Sequence, residues 1–192
     1  MMCKSYFYAC SPEYVERVSS SLPKEMPSII NALPKRSTQS EINQDLWWLL
    51  VDRGWCYDSK PAGLGSHPPD GLGLARSDSC MHNGNIRSLC KTTTTIAADW
   101  HSDFAKDYDG KLIQLEAQFG KMEAMFKDFC GFQLAYHERR LALGIEVVVC
   151  QPNVYFAHRR NAISGMAYFD IAEKTLTAIG LDCPIWLIGI EE

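Results

Sequence analysis

The chain has 192 residues and a formal net charge of −4; 46% of its residues are hydrophobic and 22% are charged. This composition predicts a globular protein with a substantial core, and the negative charge does not favour a general nucleic-acid binder, which is usually basic. No apolar run approaches the ~20 residues that span a bilayer, and the N-terminus lacks the apolar stretch of a secretory signal, so we expect a cytoplasmic protein without membrane association.

Three helices are predicted in the N-terminal third. They cover residues 11–20, 26–33 and 38–52. The third has the strongest signal, because Thr38 or Ser40 can cap it, apolar residues follow at helical spacing, and Gly54 can end it. Glu41 in its first turn is expected to be a solvated cap residue.

Residues 60–91 form a long region rich in turn signals. A loop of this length in a compact domain is usually functional or mobile. It lacks the Gly-x-x-x-x-Gly-Lys-Ser/Thr pattern of a phosphate-binding loop. The eight cysteines are scattered and contain no Cys-x-x-Cys pair, so we expect reduced thiols, with a zinc site at Cys80, His82 and Cys90 as an open alternative.

A β-hairpin is predicted after residue 102, with Asp109-Gly110 as a favoured two-residue loop. This loop pairs Tyr108 with Lys111, Lys106 with Ile113, and Asp103 with Glu116. Cross-strand partners have Cβ atoms roughly 5 Å apart. Two carboxylates at that distance repel each other unless a cation lies between them, and Mg²⁺ prefers oxygen ligands.

Gln118 follows Glu116 by two residues on the same strand, so its side chain is expected on the same face. The hairpin therefore predicts a metal site formed by Asp103 and Glu116 with Gln118 beside it. The alternative is an exposed sheet edge with solvated acids. His101 precedes the hairpin and could act as a general base or have only a structural role.

The remaining chain alternates helices and strands. The predicted elements are a helix over 121–143, a strand over 145–150, a polar loop over 151–163, a helix from 164 or 165 to 179, and a strand over 185–190. Together with the hairpin they predict an α/β fold with a mixed central β-sheet flanked by helices.

Three motifs then carry a resemblance: Asp103-Phe-Ala-Lys, Glu116-Ala-Gln-Phe-Gly-Lys and Pro184-Ile-Trp-Leu-Ile-Gly-Ile. In this order they resemble type II restriction endonucleases of the BglII/BstYI kind, the Glu-x-Gln variant of the PD-(D/E)xK superfamily. The resemblance implies one nuclease domain over residues 1–192, with its catalytic and recognition core over 100–192. The hairpin is about four residues longer than the family pattern, and adding two residues to each strand keeps the acids opposed.

The resemblance also implies roles for individual residues. Asp103, Glu116 and the main-chain carbonyl of Ala117 would hold Mg²⁺. Gln118 stands where many relatives have a lysine and would orient the attacking water. The family does not use a histidine at the position of His101. The DNA contacts implied are Lys121, Arg159, Arg160, Asn161 and Ser164.

Family members act as homodimers on palindromic double-stranded DNA, and these relatives cut six-base sites with a central GATC. The resemblance therefore implies a homodimer and a GATC-centred site here. Residues 60–91 would then be either a DNA-embracing arm or a surface insertion. Eight basic residues lie in the half that carries the motifs and could make a cleft locally positive: Lys106, Lys111, Lys121, Lys127, Arg139, Arg140, Arg159 and Arg160. The alternatives are a repair or mobile-element nuclease of the same fold and a DNA-binding module without catalysis.

Overall fold

The computed structural model describes residues 2–74, 101–156 and 165–191. Its strands are β1 (Met2–Tyr8), β2 (Cys56–Tyr57), β3 (Phe104–Tyr108), β4 (Lys111–Ala117), β5 (Leu141–Val149) and β6 (Ile185–Glu191). Its helices are α1 (Pro12–Val18), α2 (Leu22–Ala32), α3 (Gln39–Asp52), α4 (Met122–His137), α5 (Pro152–Tyr155) and α6 (Phe169–Ile179).

The described strands form a mixed sheet in the order β1-β6-β5-β4-β3-β2. β4, β5 and β6 are parallel neighbours, whereas β1 pairs antiparallel with β6 and the β2–β3–β4 pairs are antiparallel. β4 is therefore both the second strand of the hairpin and the first of the parallel group. The predicted fold class is confirmed.

Helices cover both faces of this sheet. On one face, α1, α2 and α3 pack on buried aliphatic residues of the central strands, including Ile113, Leu115, Ile145 and Val147. On the other face, Met125, Phe129 and Phe132 of α4 form a core with α6 and with Val148 and Leu187. The central strand β5 is buried on both faces, which accounts for its nearly continuous apolar sequence.

Two of the N-terminal helices, α1 and α3, begin where their capping residues predict. Thr38 caps α3 in a capping box: its hydroxyl accepts from the Glu41 N–H, and the Glu41 carboxylate accepts from the Thr38 N–H. This confirms Glu41 as a cap residue. Ser11 likewise accepts from the Tyr14 N–H at the start of α1.

Several boundaries differ from the predictions. α2 begins at Leu22 rather than at residue 26, because Leu22, Met26, Ile29 and Ile30 form one buried stripe that includes the turn before Pro27. α4 ends at His137 rather than near 143.

The starts of β5 and α6 also differ from the predictions. The chain reverses after α4 through Arg139, at φ 57°, and enters β5 at residue 141 instead of 145. α6 begins at Phe169 rather than at 164 or 165. Strand β1 was not predicted, because its only strand partner, β6, comes from the opposite end of the chain.

All cysteines in the described ranges are free thiols. No helix of those ranges combines the length and apolar character needed to cross a membrane. The zinc alternative at Cys80, His82 and Cys90 lies outside the described residues, as does most of the turn-rich region 60–91.

Candidate active site

The β3–β4 hairpin has the predicted turn and register. Tyr108 pairs with Lys111 on either side of the loop. Asp109 and Gly110 have φ values of 54° and 79°, and positive φ at both central residues is what a type I′ hairpin loop requires. This turn fixes the register of every residue pair further down the ribbon.

The two acids predicted to face each other are in contact. The last pair of the ladder is Phe104 with Leu115, so Asp103 and Glu116 come next on their strands. The Asp103 N–H donates to Glu116 Oε2 at 3.2 Å, and Asp103 Oδ2 accepts from the Ala117 N–H at 3.2 Å. Glu116 is only 6% exposed, whereas Asp103 lies at the exposed rim.

The surroundings of both carboxyl groups raise their pKa values. Burial, followed by the charges of Asp103 and Asp128, raises the pKa of Glu116 well above its usual range. Loss of surrounding water also raises the pKa of Asp103, against the opposing effect of the Ala117 N–H. A divalent cation between the two groups would lower both pKa values by stabilising the charged forms.

Gln118 is held by two hydrogen bonds at the end of β4. Its Oε1 accepts from the Gly120 N–H at 2.9 Å, and its Nε2 donates to Asp128 Oδ2 at 3.3 Å. Asp128 belongs to α4 and is buried, and burial raises its pKa to about 6. Sequence reasoning missed Asp128, although an acid inside the apolar stripe formed by Met125, Phe129 and Phe132 was a usable signal.

A further acid lies beside Glu116 on the neighbouring strand. Glu146 of β5 is the parallel partner of Glu116 and has no solvent exposure. Neither of its carboxylate oxygens has a hydrogen-bond partner among the described residues. Burial, with Asp128, Glu116 and Asp103 as further causes, raises its pKa well above the usual range. The signal in the sequence was a single acid within an apolar strand.

A pocket of about 130 Å³ opens beside Asp103. It is lined by Asn43, Ser59, Pro61, Asp103, Phe104 and Ala117. Asn43 comes from the first half of α3, so this helix contributes a polar side chain to the site. The sequence offered no local signal for Asn43, because its placement depends on how α3 packs across β3 and β4.

The donor set suits an ion that keeps part of its hydration shell. Within residues 2–74, 101–156 and 165–191, no three His, Cys, Asp or Glu side chains are grouped as one metal site. Asp103 and Glu116 are in contact and could supply two carboxylates, and Ala117 lines the pocket with Asp103, so its main-chain carbonyl is a candidate third ligand. Mg²⁺ is typically held by one or two carboxylates together with waters.

Two of the basic residues assigned to a positive cleft serve another purpose. Lys106 Nζ donates to Glu25 Oε1 at 3.0 Å and to the Arg53 carbonyl at 2.7 Å. Lys111 Nζ donates to the Arg17 carbonyl. Both lysines thus tie the hairpin to the N-terminal helices, because their strand positions face those helices and not the acids.

Lys121 is exposed at the start of α4, next to Gly165 and Met166. It forms an isolated bridge with Met166, and the Met122 N–H donates to the Gly165 carbonyl at 2.8 Å. The other predicted DNA contacts, Arg159, Arg160, Asn161 and Ser164, lie outside the described residues.

His101 is paired away from the two acids. Its Nδ1 lies 3.3 Å from Asp58 Oδ1, and the Asp58 N–H donates to the Asp103 carbonyl at 3.0 Å. The pair thus secures the entry to β3, which is the structural role considered for His101 from sequence.

A mixed sheet between helices, with two acids on the hairpin formed by β3 and β4, is the arrangement of restriction-endonuclease-like nucleases. The sequence model of the family described as restriction endonuclease BglII/BglIII matches residues 11–190. The chain belongs to this family and is a restriction endonuclease by family and fold. No curated protein sequence matches it.

Two solved structures are similar to this one. One is the restriction endonuclease BglII complexed with a DNA 16-mer, with a TM-score of 0.63 and 15% identity over 100% of this chain and 77% of that chain. The other is free BglII, with a TM-score of 0.56 and 15% identity over 100% of this chain and 80% of that chain. At this identity the likeness shows a shared fold.

Proposed function

We propose that this protein is a Mg²⁺-dependent type II restriction endonuclease that hydrolyses phosphodiester bonds in palindromic, GATC-centred double-stranded DNA. The observation that carries the proposal is the contact between Asp103 and Glu116, one of them buried, at the end of a hairpin beside an open pocket. Family membership supports the nuclease class.

The metal would be held by Asp103, Glu116 and the Ala117 carbonyl. When bound, Mg²⁺ supplies an activated water and neutralises charge that develops on the phosphate. The raised pKa values of the two acids support this assignment, because the site is unfavourable for two bare carboxylates. A dication relieves that repulsion without any further protein cation.

The protein's own groups would orient the reactants. Gln118 cannot serve as a cation or a base, so its amide acts by hydrogen bonding to the attacking water. Asn43 adds a polar side chain at the pocket wall, where it can contact the same water or a phosphate oxygen. The Asp103–Glu116 contact orients each acid through the backbone N–H of the other strand.

Sequence recognition would come from the start of α4 and from the segment that precedes Gly165. Lys121, Arg159, Arg160, Asn161 and Ser164 are the proposed DNA contacts, and lysine and arginine commonly donate to guanine O6 and N7 in the major groove. One of the similar structures is complexed with DNA. A palindromic site implies a two-fold homodimer, and we place the protein in the cytoplasm with the DNA.

The test is digestion of a sequenced plasmid with Mg²⁺ and then with EDTA, followed by reading of the cut ends. Discrete fragments whose ends lie at GATC-centred palindromes would support the proposal. Smeared or structure-dependent products would indicate a repair or mobile-element nuclease. Binding without cleavage in Mg²⁺ would indicate a DNA-binding module and would refute the catalytic assignment.

A further inference from the structure

The amide of Gln118 has one orientation in this site. Its oxygen faces a donor, the Gly120 N–H, and its nitrogen faces an acceptor, Asp128 Oδ2. Exchanging the oxygen and nitrogen would place N–H against N–H and oxygen against carboxylate. Gln118 and Gly120 are half-buried, and a flip would lose both hydrogen bonds and bring like groups together, so the two contacts favour the orientation described.

This orientation decides which group Gln118 offers to the reaction. An amide nitrogen carries two hydrogens, and one of them is donated in the hydrogen bond to Asp128. The second N–H remains for the attacking water or a phosphate oxygen. A flipped amide would present an acceptor at that place instead.

The backbone at Gly120 also favours this position of the Gln118 amide. A Cβ added at Gly120 would lie 2.9 Å from Gln118 Oε1. Because that oxygen is the end of a flexible side chain, it would be displaced rather than the backbone. Glycine at position 120 therefore leaves room for the amide where Asp128 holds it.

Asp128 also connects the site to a DNA-facing element. It lies about two turns along α4 from Lys121, which begins that helix. The helix spans from the proposed recognition surface to the catalytic strand. A change in how α4 sits on DNA would reach Gln118 through this hydrogen bond.

We infer that Asp128 is a positioning residue for DNA cleavage, which acts by fixing the amide of Gln118 so that an N–H faces the reacting groups. This inference rests on the proposed nuclease function. Asp128 is not assigned a contact with substrate or metal. Its effect on the reaction passes through Gln118.

A double-mutant cycle separates this role from simple support of the fold. Asp128→Ala should lower kcat by about 10–100-fold with little change in KM for DNA, as is typical when a group behind an active-site residue is removed. In a Gln118→Ala background the same change should have no further effect. Asp128→Asn should restore most of the activity, because its side-chain oxygen can still accept from Gln118.

Glu16→Ala is the matched control, because Glu16 is an exposed helical acid of α1, which packs on the sheet face opposite to α4. It should leave kcat unchanged. Additive losses in the double mutant, or a failure of Asp128→Asn to restore activity, would overturn the inference. If Asp128→Ala does not fold, Gly120→Ala displaces the same amide without touching Asp128 and should also lower kcat.

A measurement without catalysis keeps the two proposals apart. The side-chain amide signals of Gln118 in ¹H–¹⁵N spectra should shift in Asp128→Ala and Gly120→Ala and stay in place in Glu16→Ala. Unmoved signals would overturn the inference even if the enzyme is active. A wild-type protein that cleaves no DNA in Mg²⁺ would refute the proposed function, while the amide spectra would still decide the contact.

Discussion

Two groups of buried acids in this fold have opposite surroundings. In the N-terminal helices, Glu25 accepts hydrogen bonds from Lys106 and Tyr108, both at 3.0 Å. Asp45 of α3, 1% exposed, receives two hydrogen bonds from the guanidinium of Arg36. Each of these acids has its cation within the protein.

The acids of the proposed active site have none. Glu116 and Glu146 of the sheet lie close to Asp128 of α4. None of the three forms an ion pair with a basic residue of the described ranges. Their pKa values are all raised. A buried carboxylate without a cation favours protonation or an external ion. The first group therefore holds helices in place, whereas the second lacks positive charge that a bound cation could supply.

The largest expected effect comes from removing an acid of the second group. Glu116→Gln should reduce cleavage by roughly three orders of magnitude, equivalent to about 4 kcal/mol of transition-state stabilisation, because one carboxylate ligand is lost. The same change should raise the melting temperature of the metal-free protein, since a neutral amide ends the repulsion. Cleavage rates and melting curves measure the two effects. A loss of both activity and stability would contradict the comparison.

The first group should respond in the opposite way. Arg36→Met leaves Asp45 buried without its partner and should lower the free energy of unfolding by about 3 kcal/mol. Activity per folded molecule should be retained below the melting transition. Denaturant unfolding and cleavage assays at low temperature test this. The Arg36→Met/Asp45→Asn double variant is the control, and it should recover part of the lost stability.

The unpaired acids should also make stability depend on pH in an unusual direction. The pKa of Asp128 rises to about 6 from an unfolded value near 4, so the folded state binds the proton more tightly. The stabilising contribution is complete below about pH 4 and is lost as the pH rises through 6. Glu116 acts in the same direction.

Metal binding provides the measurement. Because Mg²⁺ competes with protons for the acids, we expect it to raise the melting temperature more at pH 8 than at pH 5. Glu116→Gln should flatten the difference. Equal Mg²⁺ effects at both pH values would show that the acids do not govern metal binding.

The smallest expected effect concerns Lys106. Lys106→Met removes the cation from Glu25, but Tyr108 and Trp55 still donate to that carboxylate. We therefore expect a loss of about 1 kcal/mol in unfolding free energy and unchanged cleavage. A large loss of activity would instead place Lys106 in the catalytic site. Denaturant midpoints and initial rates are sufficient to decide.

Local signals were enough to predict the hairpin and much of the fold. Asp109-Gly110 defines the turn, the turn defines the register, and the register places Asp103 opposite Glu116. Thr38 and the apolar spacing after it likewise predict α3. In each case the determining residues are close in sequence.

The remaining features depend on contacts between distant segments. Asn43 reaches the pocket only through the packing of α3, and Asp128 reaches Gln118 only through the packing of α4. β1 exists because β6 offers it an edge. Sequence periodicity identifies which face of an element is apolar, but not which strand that face will cover.

The tip of the hairpin extends well past the two acids. Tyr108 bonds to Glu25 and Lys111 to the Arg17 carbonyl, so this end of the ribbon is clasped by α1 and α2. Because side chains alternate with a period of two, removing two residues from each strand at the tip keeps Asp103 facing Glu116. The hairpin can therefore lengthen or shorten by two residues per strand during evolution. Such a change would add or remove contacts with the N-terminal helices and leave the two acids opposite each other.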